Sequence, residues 1–89
     1  MQVLPLIAEF FGTFLLLMSI FATGNALVIG GTLGLIVLLL GDISGGHVNP
    51  AVSVAMFMNG SIGTMDLINY TVVQCLGAAA AFYAYKVLS

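Results

Sequence analysis

Eighty-nine residues with three acids, one lysine and no arginine are 4 % charged and 62 % hydrophobic, where a soluble domain carries roughly 25 % charged residues. Four charged side chains cannot cover the surface that so short a chain exposes. This excludes a soluble globular enzyme, a nucleic-acid binder with its basic patch and a disordered chain, which needs low hydrophobicity. What remains is an all-α integral membrane protein, multi-pass and built as one domain over residues 1–89.

The N-terminal stretch has no basic region, and its apolar run outlasts the core of a secretory signal, so it is expected to be a first span and not a leader. No residue from Phe10 to Gly41 is charged. Thr23-Gly24-Asn25 interrupts this run with a small polar group that predicts a turn. A helix needs about 20 residues to cross the hydrocarbon, with a lower limit near 17. Residues 5–23 fit one span, with Pro5 in the first turn, where proline is tolerated. Residues 26–42 fit a second, shorter span, and so tight a link makes the two antiparallel. Asp42 then lies solvated at its end. A third span is predicted over residues 65–88, capped by Thr64 or Ser61 and with Asp66 in the first turn, where the helix dipole favours an acid. Tyr70, Tyr83 and Tyr85 fall towards its ends, as interface aromatics do, and Lys86 can snorkel to the headgroups.

Residues 44–59 lie between the second and third spans. Gly45-Gly46 is flexible. Asn49-Pro50 is a good helix start, an N-cap followed by a proline at the first helical position, and Asn59-Gly60 is a good stop. The short helix between them is roughly 16 Å long at 1.5 Å per residue. That is half of a ~30 Å hydrocarbon core, yet the segment is nearly all apolar. A re-entrant half-helix reconciles its length with its apolarity. Irregular backbone at membrane depth is tolerated only where it is buried in protein or lines water, so Ser44 to Val48 are expected to line a cavity. The predicted fold is therefore three transmembrane helices plus one re-entrant half-helix.

Cys75 stands alone in an apolar stretch and is expected to be a small packing residue. No CxxC or HExxH spacing offers a metal site, and no phosphate-binding loop is present. No cofactor is implied. Small residues recur at four-residue spacing at Gly30/Gly34 and Gly77/Ala81, a spacing that permits close helix contact in lipid. With eleven glycines in the chain, such pairs also arise by chance.

The string Ser44-Gly45-Gly46-His47-Val48-Asn49-Pro50-Ala51-Val52 resembles the first NPA box of the major intrinsic protein family, the aquaporins and aquaglyceroporins. Ala8-Glu9-Phe10-Phe11-Gly12-Thr13 resembles the opening signature of that family's first helix, and Gln74-Cys75-Leu76-Gly77-Ala78 its third helix. The resemblance implies a fold of two inverted halves, each with three spans and a half-helix, of which this chain is similar to the first. Val52 after the box matches the first repeat. The second repeat normally carries an arginine there, and this sequence has none. The short turn at Thr23 to Asn25 departs from the longer connection usual in the family.

By this resemblance Asn49 donates its amide NH2 into a lumen, while Pro50 and Ala51 shape the tip where two half-helices meet. Read without the resemblance, Asn49 is only a helix cap. Gly45, Gly46, His47 and Val48 would present a ladder of backbone carbonyls, and His47 would also be a hydrogen-bonded residue holding the loop. Glu9 is implied to be a buried carboxylate accepting bonds from loop N–H groups, with Gln74 making similar contacts. Ile29 falls where members carry a filter residue on the second helix, the alternative being that it faces lipid. Half-helix dipoles are a recognised barrier to protons and cations in pores of this kind.

The function expected is passive conduction of water or small neutral solutes such as glycerol, with no enzymatic activity. One such half cannot enclose a pore, so a homo-oligomer in the lipid bilayer is expected, with an antiparallel dimer as its minimal unit and a higher assembly open. The missing arginine leans the constriction towards glycerol-sized solutes. A non-conducting assembly protein and a weakly selective ion channel are the competing readings.

Overall fold

The computed structural model describes residues 2–89 as four helices: α1 (Leu4–Thr23), α2 (Ala26–Leu40), α3 (Pro50–Met58) and α4 (Thr64–Leu88). Pro5 lies in the first turn of α1. The helix ends at Gly24, whose left-handed φ of 56° suits a residue without Cβ and whose N–H donates to the Ile20 carbonyl. Asn25 starts α2 at once, its Oδ1 accepting from the N–H groups of Leu27 and Val28 at 3.0 and 3.1 Å. The chain therefore reverses within two residues, at the polar group that predicts the turn.

Hydrogen bonding of the α-helical kind continues past Leu40. Gly41, Ser44 and Gly45 donate to the carbonyls of Val37, Leu40 and Gly41. α2 thus runs on through an irregular last turn before the chain leaves it at Gly45, where φ is 90°. α3 is nine residues long, about 14 Å at the α-helical rise. It ends in a Schellman arrangement: Gly60, with φ 82°, donates to the Phe57 carbonyl and Ser61 to the Met56 carbonyl. The expected cap of the last helix is corrected here. Gly63 is the N-cap of α4 and makes no side-chain bond. Ser61 Oγ instead accepts from Asn59 Nδ2 at 3.1 Å, and Thr64 is already helical.

α1 is the centre of the molecule, with α4 on one side and α2 on the other, while α3 packs on α4. α1 and α4 run parallel, because Phe21 near the end of α1 stacks on Tyr85 near the end of α4 at 5.6 Å. They approach closely where Gly77 meets α1, since a Cβ there would strike the Phe10 carbonyl. Of the two small-residue pairs, Gly77/Ala81 is at a helix contact, while Gly30 and Gly34 face open space.

The distribution of polarity is inverted relative to a soluble protein. Glu9 and Ser53 are 0 % exposed, whereas Leu27 is 87 % exposed. Water would reward the opposite arrangement. α1 and α4 are both long and apolar enough to cross a membrane, with mean hydropathy 2.0 and 1.3. α2 is shorter than that length, at 15 residues.

Candidate functional site

Glu9 lies in the second turn of α1 and its carboxylate is the hub of the buried centre. Oε2 accepts from Ser44 Oγ at 2.6 Å and from the His47 N–H at 3.0 Å. Oε1 accepts from the Val48 N–H at 2.7 Å and from Gln74 Nε2 at 2.8 Å. Gln74 also donates to Ser53 Oγ at 3.0 Å, and Ser53 Oγ is 2.9 Å from His47 Nδ1. Tyr70 O–H donates to the Ser44 carbonyl at 2.7 Å, and its ring packs on that of His47 at 5.0 Å. One side chain on α1 therefore joins the loop to α4, and Gln74 and His47 extend the network to Ser53 of α3.

This arrangement gives the loop a polarity. The N–H groups of Gly45, Gly46, His47 and Val48 all donate to the protein, to the Gly41 carbonyl, Ser44 Oγ and Glu9. None of the four carbonyls of the same residues accepts a hydrogen bond among the described residues. The backbone needed for this is strained at Val48. It is a β-branched residue at φ 45°, a conformation that costs on the order of 1–3 kcal/mol.

Asn49 follows with extended backbone, its Oδ1 accepting from the Ala51 N–H at 2.8 Å, as an N-cap does. The oxygen is thereby committed and the NH2 group makes no hydrogen bond among the described residues. Asn49 and Ala51 are exposed and Pro50 half-buried. A hollow of about 290 Å³ opens beside this tip, walled by Thr13 and Leu16 of α1 and by Gln74 and Cys75 of α4. Those residues stand at the middle of the two long helices.

A family model described as Major intrinsic protein matches residues 22–88. The chain is 42 % identical over 89 residues to Glycerol uptake facilitator protein-like 6 of Lactiplantibacillus plantarum, covering 90 % of this chain and 41 % of that protein. It is 42 % identical to Aquaporin Z of Brucella melitensis, covering 83 % of this chain and 39 % of that one. To Aquaporin-8 of Rattus norvegicus it is 50 % identical over 64 residues, covering 72 % of this chain and 24 % of the relative. The chain belongs to the Major intrinsic protein family. Members of that family are integral membrane proteins, and the chain spans less than half the length of these relatives. No solved structure gives a significant match.

Within this family member the expected site residues divide into two groups. Glu9, His47, Val48 and Gln74 are brought together in one buried network, while Gly45, Gly46, Asn49, Pro50 and Ala51 form the loop and tip that it holds. Ile29 stands apart. It is half-buried in the first turn of α2 and does not wall the hollow beside Asn49. Two expectations are corrected. Tyr70 is a buried bracket on the loop and not an interface aromatic, because its hydroxyl reaches the Ser44 carbonyl and its ring packs on His47. Cys75 is exposed in the hollow and not packed inside. Ser44 and Gly12 fall within the motifs that carry the resemblance, which gives them no side-chain role, and Ser53 belongs to the site without having been singled out. Helical spacing from Asn49 was the one available clue to Ser53, since residue i+4 shares the cap's face. No group of three or more His, Cys, Asp or Glu is placed to hold a metal among the described residues.

Proposed function

We propose that this chain is half of a passive channel for water and small neutral solutes such as glycerol, completed by an antiparallel partner half, in the simplest case a second copy. The observation that carries this is the one-sided polarity of Gly45 to Val48, with every N–H committed to the protein and every carbonyl free among the described residues. A neutral hydrogen-bonding solute needs acceptors in a row and a donor at their end, which the Asn49 NH2 supplies. Free carbonyls facing lipid would each cost several kcal/mol, so they belong to a wet path.

The depth of the tip supports the re-entrant reading of α3, because Asn49 shares a hollow with the middle residues of α1 and α4. The continued helical bonding past Leu40 supports α2 as a third span, since 19 residues to Ser44 reach about 28 Å. Pairing is supported by the hollow beside the Asn49 tip, which lies open between the middles of α1 and α4. The relatives' names, glycerol uptake facilitator and aquaporin, support both solutes.

The test is flux across vesicles containing the purified chain. Water and glycerol permeability should rise above protein-free vesicles, and Asn49→Leu should lower it while insertion persists. Loss of the cap alone costs about 1 kcal/mol. Asn49→Ser keeps the cap without the NH2, so equal losses in both variants assign the effect to the donor. Vesicles no more permeable than bare lipid would refute the channel, and ion current under voltage without solute flux would replace it with an ion pathway.

A further inference from the structure

Val48 is the one non-glycine residue at positive φ among the described residues. A strained β-branched residue persists only where its surroundings hold it from more than one side. Its backbone is held by Glu9, whose Oε1 accepts the Val48 N–H at 2.7 Å. Its side chain is 2 % exposed and is seated against Gly12. A Cβ on Gly12 would lie 2.7 Å from Val48 Cγ1, 2.9 Å from Leu40 Cδ1 and 3.3 Å from Ile36 Cγ2. Glu9 and Gly12 are three residues apart and share one face of α1. One helix face therefore grips both the backbone and the side chain of the same strained residue.

We propose that Gly12 is a positioning residue that sets how far the loop stands from α1, and hence the width left for solute beside the Asn49 tip. The second part of this rests on the channel reading above. The direction of the effect follows from the loop's polarity. His47 and Val48 turn their N–H groups towards Glu9 on α1, and their carbonyls stay free. A larger residue at position 12 moves the loop away from α1, towards the side of those carbonyls. Val48 cannot yield by a simple rotation, because its χ1 is stiff and Leu40 and Ile36 already crowd the seat. The contact thus converts one methyl group on α1 into a displacement of the acceptor ladder.

The test uses the full chain in vesicles as wild type, Gly12→Ala, and Gly12→Ala with Val48→Ala, and reads two things. The first is permeability to water, glycerol and a larger polyol. The second is amide hydrogen exchange at His47 and Val48. Gly12→Ala should lower glycerol flux on the order of tenfold, the larger polyol more and water less, and exchange at both amides should quicken. Removing Cγ1 and Cγ2 in the double variant should restore most of both. Val48→Ile enlarges the same contact from the other side, since its extra carbon grows from Cγ1, and should act in the same direction should Gly12→Ala fail to assemble. Unchanged solute ratios and exchange in Gly12→Ala, or a double variant no better than the single one, would overturn the proposal. A wild-type chain that passes no solute removes the channel and the width claim with it, and the exchange arm alone then decides whether Gly12 holds the loop.

Discussion

Among the described residues no cation lies beside the Glu9 carboxylate; the one lysine, Lys86, lies at the far end of α4 over the Phe82 ring, 5.8 Å from its centroid. A buried charge without a counter-ion costs several kcal/mol. Four donors replace the counter-ion, and hydrogen bonds to a charged group contribute roughly 1.5–3 kcal/mol each. Both carboxylate oxygens are engaged, each accepting from two donors. Glu9→Gln preserves shape and removes charge, but turns one oxygen into an NH2 that faces two donors. With the NH2 at the Oε2 position the Ser44 hydroxyl can turn to accept but the His47 N–H cannot, so at least one buried donor loses its acceptor and the variant should be less stable by about 1–3 kcal/mol. Thermal unfolding in detergent checks this, and a melting point equal to wild type would mean that the carboxylate does not hold the loop. The roles expected of Glu9 and Gln74 came from the resemblance of the motifs that contain them, since polarity alone left Glu9 free to be functional or structural. Ser53 was not legible in the sequence, since a serine within Pro50–Met58 passes as filler until Gln74 and His47 are seen to converge on it. Tyr70 was misread because its distance from the helix end says nothing about which side of α4 faces Ser44.

Two pairs of small residues looked alike by spacing, and only one of them joins helices. At Gly77 the neighbours are the Phe10 carbonyl and Thr13 Cβ, the latter 3.3 Å from an added Cβ, so the α1–α4 contact depends on the missing side chain. At Gly30 nothing lies within 4 Å. Gly77→Ala forces backbone apart and should cost about 1–3 kcal/mol. Gly30→Ala gains helix propensity of up to about 1 kcal/mol with no contact to disturb. Unfolding of the two variants side by side in detergent reads the difference, and equal effects would show that Gly77 does not provide the close approach. Spacing places such residues on one face of a helix but not against a particular neighbour, which is why the sequence could not separate the pairs. Boundaries fared better where side chains act locally. Asn25 and Asn49 cap the helices they precede, and Gly24 and Gly60 end those before them in left-handed conformations. The cap of α4 was misassigned because Gly63, not a hydroxyl residue, occupies it.

At the scale of the molecule, the parallel course of α1 and α4 puts Lys86 at the Phe21 end, away from the end that carries Asp66. Orientation in the membrane follows the bias in lysine and arginine near the span ends, and acids contribute little. Here the bias is one lysine against none. So small a bias predicts that the 89-residue chain inserts in both orientations. Pairing gives that ambiguity a consequence. In an antiparallel pair each α3 enters from its own leaflet, the two Asn49 tips meet at the middle of the spans, and each hollow beside Asn49 faces the other chain. Such an interface is the same patch used twice, as a twofold axis requires. A parallel pair would place both half-helices in one leaflet and leave the opposite half of the path without an NH2 donor. Reporters fused at either terminus should therefore show both topologies in a single preparation, at comparable levels. Placing two or three lysines beside Lys86 should bias insertion to one orientation and lower flux, because antiparallel partners become scarce. Uniform orientation of the unaltered chain, with flux retained, would rule out the antiparallel homodimer and assign the second half of the channel to a different polypeptide.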